Sequence, residues 1–178
     1  MRVLVVGGDG KIGAALCTRL LEQGHSVIKT TRRSDPDAPV RRNEEIVNLD
    51  LRDPTLPDAA WVGGQIDVVY LIAAITGAIN CEQDPRAWLV NAEAPVAMAQ
   101  QSCARGCHVV FLTSGAPEVA PHTALAMQKS YAGLAVLMLG GCVVRPVPAV
   151  SPEKYAEFAG LLVRVGDERR TGLVRWEG

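Results

Sequence analysis

The sequence predicts an α/β domain with a doubly wound parallel sheet of about seven strands and helices on both faces. Three observations carry that prediction. Residues 3–6, VLVV, form a buried-strand run that leads directly into glycines at positions 7, 10 and 13. Apolar runs of strand length then alternate with helical patterns through to residue 176, which argues right-handed crossovers between parallel strands. The run DVVYLI at residues 67–72 is apolar on both faces, as a central parallel strand is. Strand, glycine turn and helix together open a Rossmann-type dinucleotide-binding unit. One glycine permits the tight turn, a second lets backbone N–H groups approach a pyrophosphate, and a third lets the helix pack close to the sheet.

The elements follow in order. The first helix is expected over residues 11–23 and stops at Gly24, a good C-terminal breaker. Strand 2 covers 26–30, a polar Pro-containing loop covers 35–42, and a short strand 3 covers 45–49, ending at Asp50. One or two helical turns are expected over 53–61, and a loop over 76–84 follows strand 4. A long helix spans 85–105, with a proline near its first turn and Gly106 at its end. Strand 5 is 108–113, a second long helix is 123–139 before Gly140-Gly141, and strand 6 is 142–145. Pro146, Pro148 and Pro152 mark a boundary, after which a helix at 154–165 and a last strand at 172–176 complete a single domain.

Composition narrows the function classes. The 178 residues are 48% hydrophobic and 21% charged, enough for a sizeable core. A net charge of −1 argues against nucleic acid or an anionic membrane surface as partner. No apolar run approaches the roughly 18 residues of a membrane span, and no signal peptide is visible ahead of the first strand. Five cysteines, an odd number without zinc-site spacing, read as reduced thiols of a cytoplasmic protein, and no metal is assigned. The 123–139 helix carries little charge beyond Lys129. So apolar a helix must pack on the sheet and against another subunit, which predicts a homodimer through helices 85–105 and 123–139.

Several stretches in order resemble the extended or atypical short-chain dehydrogenase/reductases of the NAD-dependent epimerase/dehydratase superfamily. The likeness is closest to sugar-nucleotide reductases of the dTDP-4-dehydrorhamnose reductase type, in a shortened form. They are VLVVGGDGKIG, NLDLRDP, DVVYLIAAITG, VNAEAP, VVFLTSG, VVRP and GLVRWEG. The resemblance implies a dinucleotide cofactor held by Gly7, Gly10, Lys11, Ile12 and Gly13, an adenine contact from Asp50 and Leu51, and a cofactor lining from Ala73 and Ala74. It also implies a small-molecule or nucleotide-sugar substrate and a reduced substrate lobe in residues 146–178. Asn91 takes a backbone-bracing role near the site by the same likeness; a solvated helix position is the alternative.

The departure from the family lies on the 123–139 helix. Lys129 matches the lysine of the family's Tyr-x-x-x-Lys pair, but Leu125 stands at the tyrosine position. A leucine has no proton to move. Tyr131 is about 200° round the helix from Lys129 and is no substitute. His122, three residues before Leu125, is a candidate at the helix start, against the reading of a solvated loop histidine. Lys129 is expected to bind the nicotinamide ribose, against a lysine that snorkels to the surface. Ser114, or Thr113, stands at the carboxyl edge of the sheet where ligands bind, against a turn-forming hydroxyl. Arg32 and Arg33 follow strand 2 with no carboxylate beside them. Arginines there suit the 2′-phosphate of NADP, with NAD as the lesser candidate; two solvated charges are the alternative. Two functions follow: an NADP-dependent oxidoreductase with an altered site, or a catalytically silent NADP-binding subunit.

Overall fold

A computed structural model describes residues 1–32, 39–53, 61, 64–114, 122–147 and 149–178 of the chain. Seven strands form one parallel sheet: β1 (Arg2–Val6), β2 (Ser26–Thr31), β3 (Glu44–Asn48), β4 (Val68–Leu71), β5 (His108–Leu112), β6 (Cys142–Pro146) and β7 (Gly172–Trp176). Their spatial order is β3-β2-β1-β4-β5-β6-β7. The strand order reverses between β1 and β4, and the crevice beyond the carboxyl ends of these two strands is where such sheets bind ligands.

Alternation along the central strands builds a core on each face. Val3 and Val5 of β1 with Val68 and Tyr70 of β4 point to one side. There they meet α1 (Lys11–Glu22) through Leu16 and Leu20, and α5 (Tyr155–Asp167) through Phe158 and Leu162. Leu4, Val6, Val69 and Leu71 point to the other side, against Met98 and Ala99 of α3 (Ala94–Ala104) and Ala132 and Val136 of α4 (Ala124–Met138). The Rossmann-type sheet expected from the sequence is thus present, with α1 and α5 on one face and α3 and α4 on the other.

Two expectations need correction. Residues 76–84 are not all loop: α2 (Ala78–Gln83) starts after Gly77, whose φ of +92° breaks the chain direction. The long helix does not begin at Pro85, which lies in a turn closed by the Ala87 N–H donating to the Asp84 carbonyl at 2.9 Å. Nor is it regular, because Leu89–Glu93 forms a π turn ahead of α3. A π turn inserts one extra residue and is enriched at functional sites. Here it carries Val90, Asn91 and Ala92 into the interior. The helical turns expected over 53–61 and the loops after β2 and β5 fall largely outside the described residues.

Candidate active site

The glycine turn is shaped by contacts that no side chain survives. Gly7 has φ +94°, and a Cβ there would stand 2.6 Å from the Ala73 nitrogen. A Cβ on Gly13 would stand 2.1 Å from the Gly7 carbonyl oxygen. The turn is pinned by the Gly7 N–H donating to Thr30 Oγ1 at 3.0 Å and the Gly10 N–H donating to the Gly7 carbonyl at 3.1 Å. Helix α1 then begins with Gly10 as N-cap, no side-chain cap and no acidic residue in its first turn. Its first N–H groups are left for a ligand, at the positive end of the helix dipole.

That end faces a cavity of about 1340 Å³ along the carboxyl edge of the sheet. Gly7, Gly10, Lys11, Ile12 and Gly13 line it, with Thr31, Arg32, Asp50, Leu51 and Arg52 at the ends of β2 and β3 and Ala73 and Ala74 after β4. Arg52 Nε donates to both Asp50 carboxylate oxygens, at 2.9 and 3.0 Å. The guanidinium holds the Asp50 carboxyl down to about 2, so it stays ionised but paired. Arg32 is exposed; Arg33 lies outside the described residues.

Farther along, the same cavity is lined by Thr113, Ser114, Leu125, Lys129 and Tyr155. Lys129 is 3% exposed and therefore does not snorkel. Its ammonium donates to the Leu112 carbonyl at 3.4 Å, a long bond, and lies 4.7 Å from the centre of the Phe111 ring. Burial pushes its pKa down to about 8. Thr113 is 4% exposed, yet its hydroxyl and that of Ser114 are buried without a hydrogen-bond partner among the described residues. Unpaired buried hydroxyls are costly, so a ligand carrying a polar oxygen fits this end of the cavity.

Asn91 does not line the cavity; it is fully buried behind it. Its amide donates to the Ile75 carbonyl at 2.9 Å and to Gln128 Oε1 at 2.8 Å, and its Oδ1 accepts from the Ile75 N–H at 2.8 Å. These bonds clamp the segment after β4 to α4. His122 is exposed and also outside the lining, while Tyr131 is half exposed and stacks on Trp88 with ring centroids 5.5 Å apart. Sequence reasoning missed Arg52 and Tyr155. Arg52 was signalled by its place two residues after Asp50. Tyr155 had no local signal, because the fold alone turns the start of α5 toward the crevice.

Residues 3–134 match the NAD dependent epimerase/dehydratase family. A 2-alkyl-3-oxoalkanoate reductase of Stenotrophomonas maltophilia is 38% identical over 78 residues, 44% of this chain and 23% of that protein. An uncharacterized protein of Mycobacterium tuberculosis is 35% identical over 77 residues, 43% of this chain and 8% of that protein. The matched stretch therefore spans less than a quarter of either relative. Among solved structures, a hypothetical dTDP-4-dehydrorhamnose reductase from Sulfolobus tokodaii superimposes with TM-score 0.80 at 20% identity, over all of this chain and 77% of that one. The Bordetella bronchiseptica enzyme WbmH, solved with NAD+, gives TM-score 0.79 at 16% identity over 98% and 74%. At such identities the two structures show a shared fold.

Proposed function

This chain belongs to the NAD dependent epimerase/dehydratase family, and from that premise we propose that its cavity binds a nicotinamide dinucleotide, NADP in preference to NAD, and performs slow carbonyl reduction. The substrate is a small molecule or a nucleotide sugar. The observation that carries this reading is one continuous cavity with the glycine turn at one end and Lys129, Thr113 and Leu125 at the other. The residues fit the cofactor: the Gly7–Gly13 contact leaves no room for side chains, and the open N–H groups of α1 suit a pyrophosphate. A bound nicotinamide would supply the hydride. Arg32 would hold the 2′-phosphate, and the Asp50 carboxylate nearby is already engaged by Arg52. Thr113 and Ser114 would hold the substrate oxygen.

Leu125 supports a second reading, a catalytically silent NADP-binding subunit. Turnover with a panel of carbonyl compounds separates the two. Cofactor choice is read by NADPH and NADH fluorescence titration. The expected preference is roughly tenfold or more, from a charge-assisted pair of order 1.5–3 kcal/mol, and Arg32→Ala should reduce it. Equal dissociation constants at moderate salt would sink the NADP assignment. Exposed Met127, Tyr131, Leu134 and Met138 on α4, with Trp88 beside them, support a homodimer through this face. All five cysteines carry free thiols, in keeping with a cytoplasmic setting.

A further inference from the structure

Resting on the carbonyl-reduction reading above, we propose that Lys129 is the proton donor of this site, its own ammonium taking the place of a phenol. The geometry is that of a proton-bearing group held ready in a cavity. Leu125, one helical turn earlier on the same face, lines the cavity and has no proton to give. Lys129 lines it too, almost fully buried, with one long bond to a backbone carbonyl and a ring face for its other contact. No carboxylate forms an ion pair with it among the described residues. The Asn91 amide donates to Gln128 Oε1 and to the Ile75 carbonyl. The ammonium therefore has hydrogens free to point at a substrate oxygen held by the unpaired Thr113 and Ser114 hydroxyls.

The groups packed around Lys129 leave its proton labile. From β5 come the Phe111 ring and the Leu112 carbonyl, neither of which titrates. From α2 comes the Cys81 thiol, whose own pKa is raised by burial, so it is neutral below the ordinary thiol range. Tyr155 lines the cavity from the start of α5. Burial brings the Lys129 pKa down to about 8, close to working pH, where a general acid is most effective. A bound reduced nicotinamide would supply the hydride to the carbonyl carbon, and Lys129 Nζ would give its proton to the carbonyl oxygen. The alcohol leaves, and the neutral amine is reprotonated from water.

The test has a readout on the protein alone. Competitive acetylation with acetic anhydride, read lysine by lysine by mass spectrometry, should titrate Lys129 near pH 8, with Lys11, Lys29 and Lys154 labelled in the same samples as internal references. Reduction by wild type with NADPH should fall as pH rises through the same value. Lys129→Arg keeps the charge but cannot release its proton, so kcat should drop ~10²–10⁴-fold while the NADPH dissociation constant stays within about tenfold. Titration of Lys129 above pH 10, or a Lys129→Arg variant that keeps its kcat and pH profile, overturns the proposal. Loss of the pH-dependent limb in Tyr155→Phe, with Lys129 labelling unchanged, also overturns it and moves the proton to Tyr155. NADPH binding without turnover of any carbonyl removes this inference and leaves the cofactor assignment standing. Absence of NADPH binding removes both.

Discussion

Gly13→Ala and Gly10→Ala should separate what the glycine turn does for the fold from what it does for the cofactor. At Gly13 the added Cβ would meet the Gly7 carbonyl oxygen at 2.1 Å, the Gly7 carbonyl carbon at 2.9 Å and the Gly8 Cα at 2.9 Å. All three are backbone atoms, so no side chain can swing aside. Restoring an ordinary contact needs roughly 1 Å of displacement between α1 and the turn, which loosens Leu16, Cys17 and Leu20 in their core. Overpacking of this kind costs typically 1–3 kcal/mol, and with an unyielding neighbour the upper end is expected. At Gly10 the added Cβ meets only the Gly7 carbonyl, at 3.4 Å, and φ is −68°. Alanine fits that conformation, with a cost of about 0.5–1 kcal/mol at an N-cap, where glycine is preferred to alanine. It nevertheless places a methyl in the cavity lining, where a pyrophosphate would sit. Urea denaturation and NADPH titration of both variants form the assay. Gly13→Ala should lose about 3 kcal/mol, and Gly10→Ala should stay within about 1 kcal/mol of wild type while binding NADPH at least tenfold more weakly. Unchanged stability in Gly13→Ala, or unchanged binding in Gly10→Ala, refutes the reasoning at that position.

Three other outcomes are expected. Lys129→Met should stabilise the fold by about 2–3 kcal/mol at pH 7, because desolvation holds the folded-state pKa near 8 against an ordinary 10.5. The buried charge destabilises fully below pH 8, and its penalty fades as pH rises from 8 to 10.5. The gap between variant and wild type in urea melts should close over that window, and a gap independent of pH would contradict the burial argument. Leu125→Tyr places a phenol one turn from the ammonium and should raise reduction of a small carbonyl ~10²-fold or more; a folded variant with no gain would show that the reacting centre lies elsewhere. Wild type should sediment as a dimer at micromolar concentration and Leu134→Glu, at an exposed apolar position, as a monomer, whereas a monomeric wild type removes the interface.

The sequence by itself determined the parallel sheet and the glycine turn, because both are written in local patterns. Residues 3–13 carry strand, turn and helix in one stretch, and β7 lies where residues 172–176 predict it. It also told where the helices before and after β5 end, since Gly106 and Gly140 stop them with φ of +76° and +79°. It could not tell that Asn91 would spend its amide on Ile75 and Gln128, sixteen and thirty-seven residues away, because the π turn that points it inward depends on those partners. Nor could it choose between a snorkelling Lys129 and a buried one. That choice is made by Phe111 and Leu112 of β5, which wall the lysine in. Tyr155 joins the cavity only because β6 ends beside β5 and α5, docked beside α1 through Phe158 and Leu162, starts at the carboxyl edge of the sheet. Local spacing sets which face a side chain shares within its own element; what lies opposite that face is decided by strands and helices distant in the chain, and only tertiary packing brings them there.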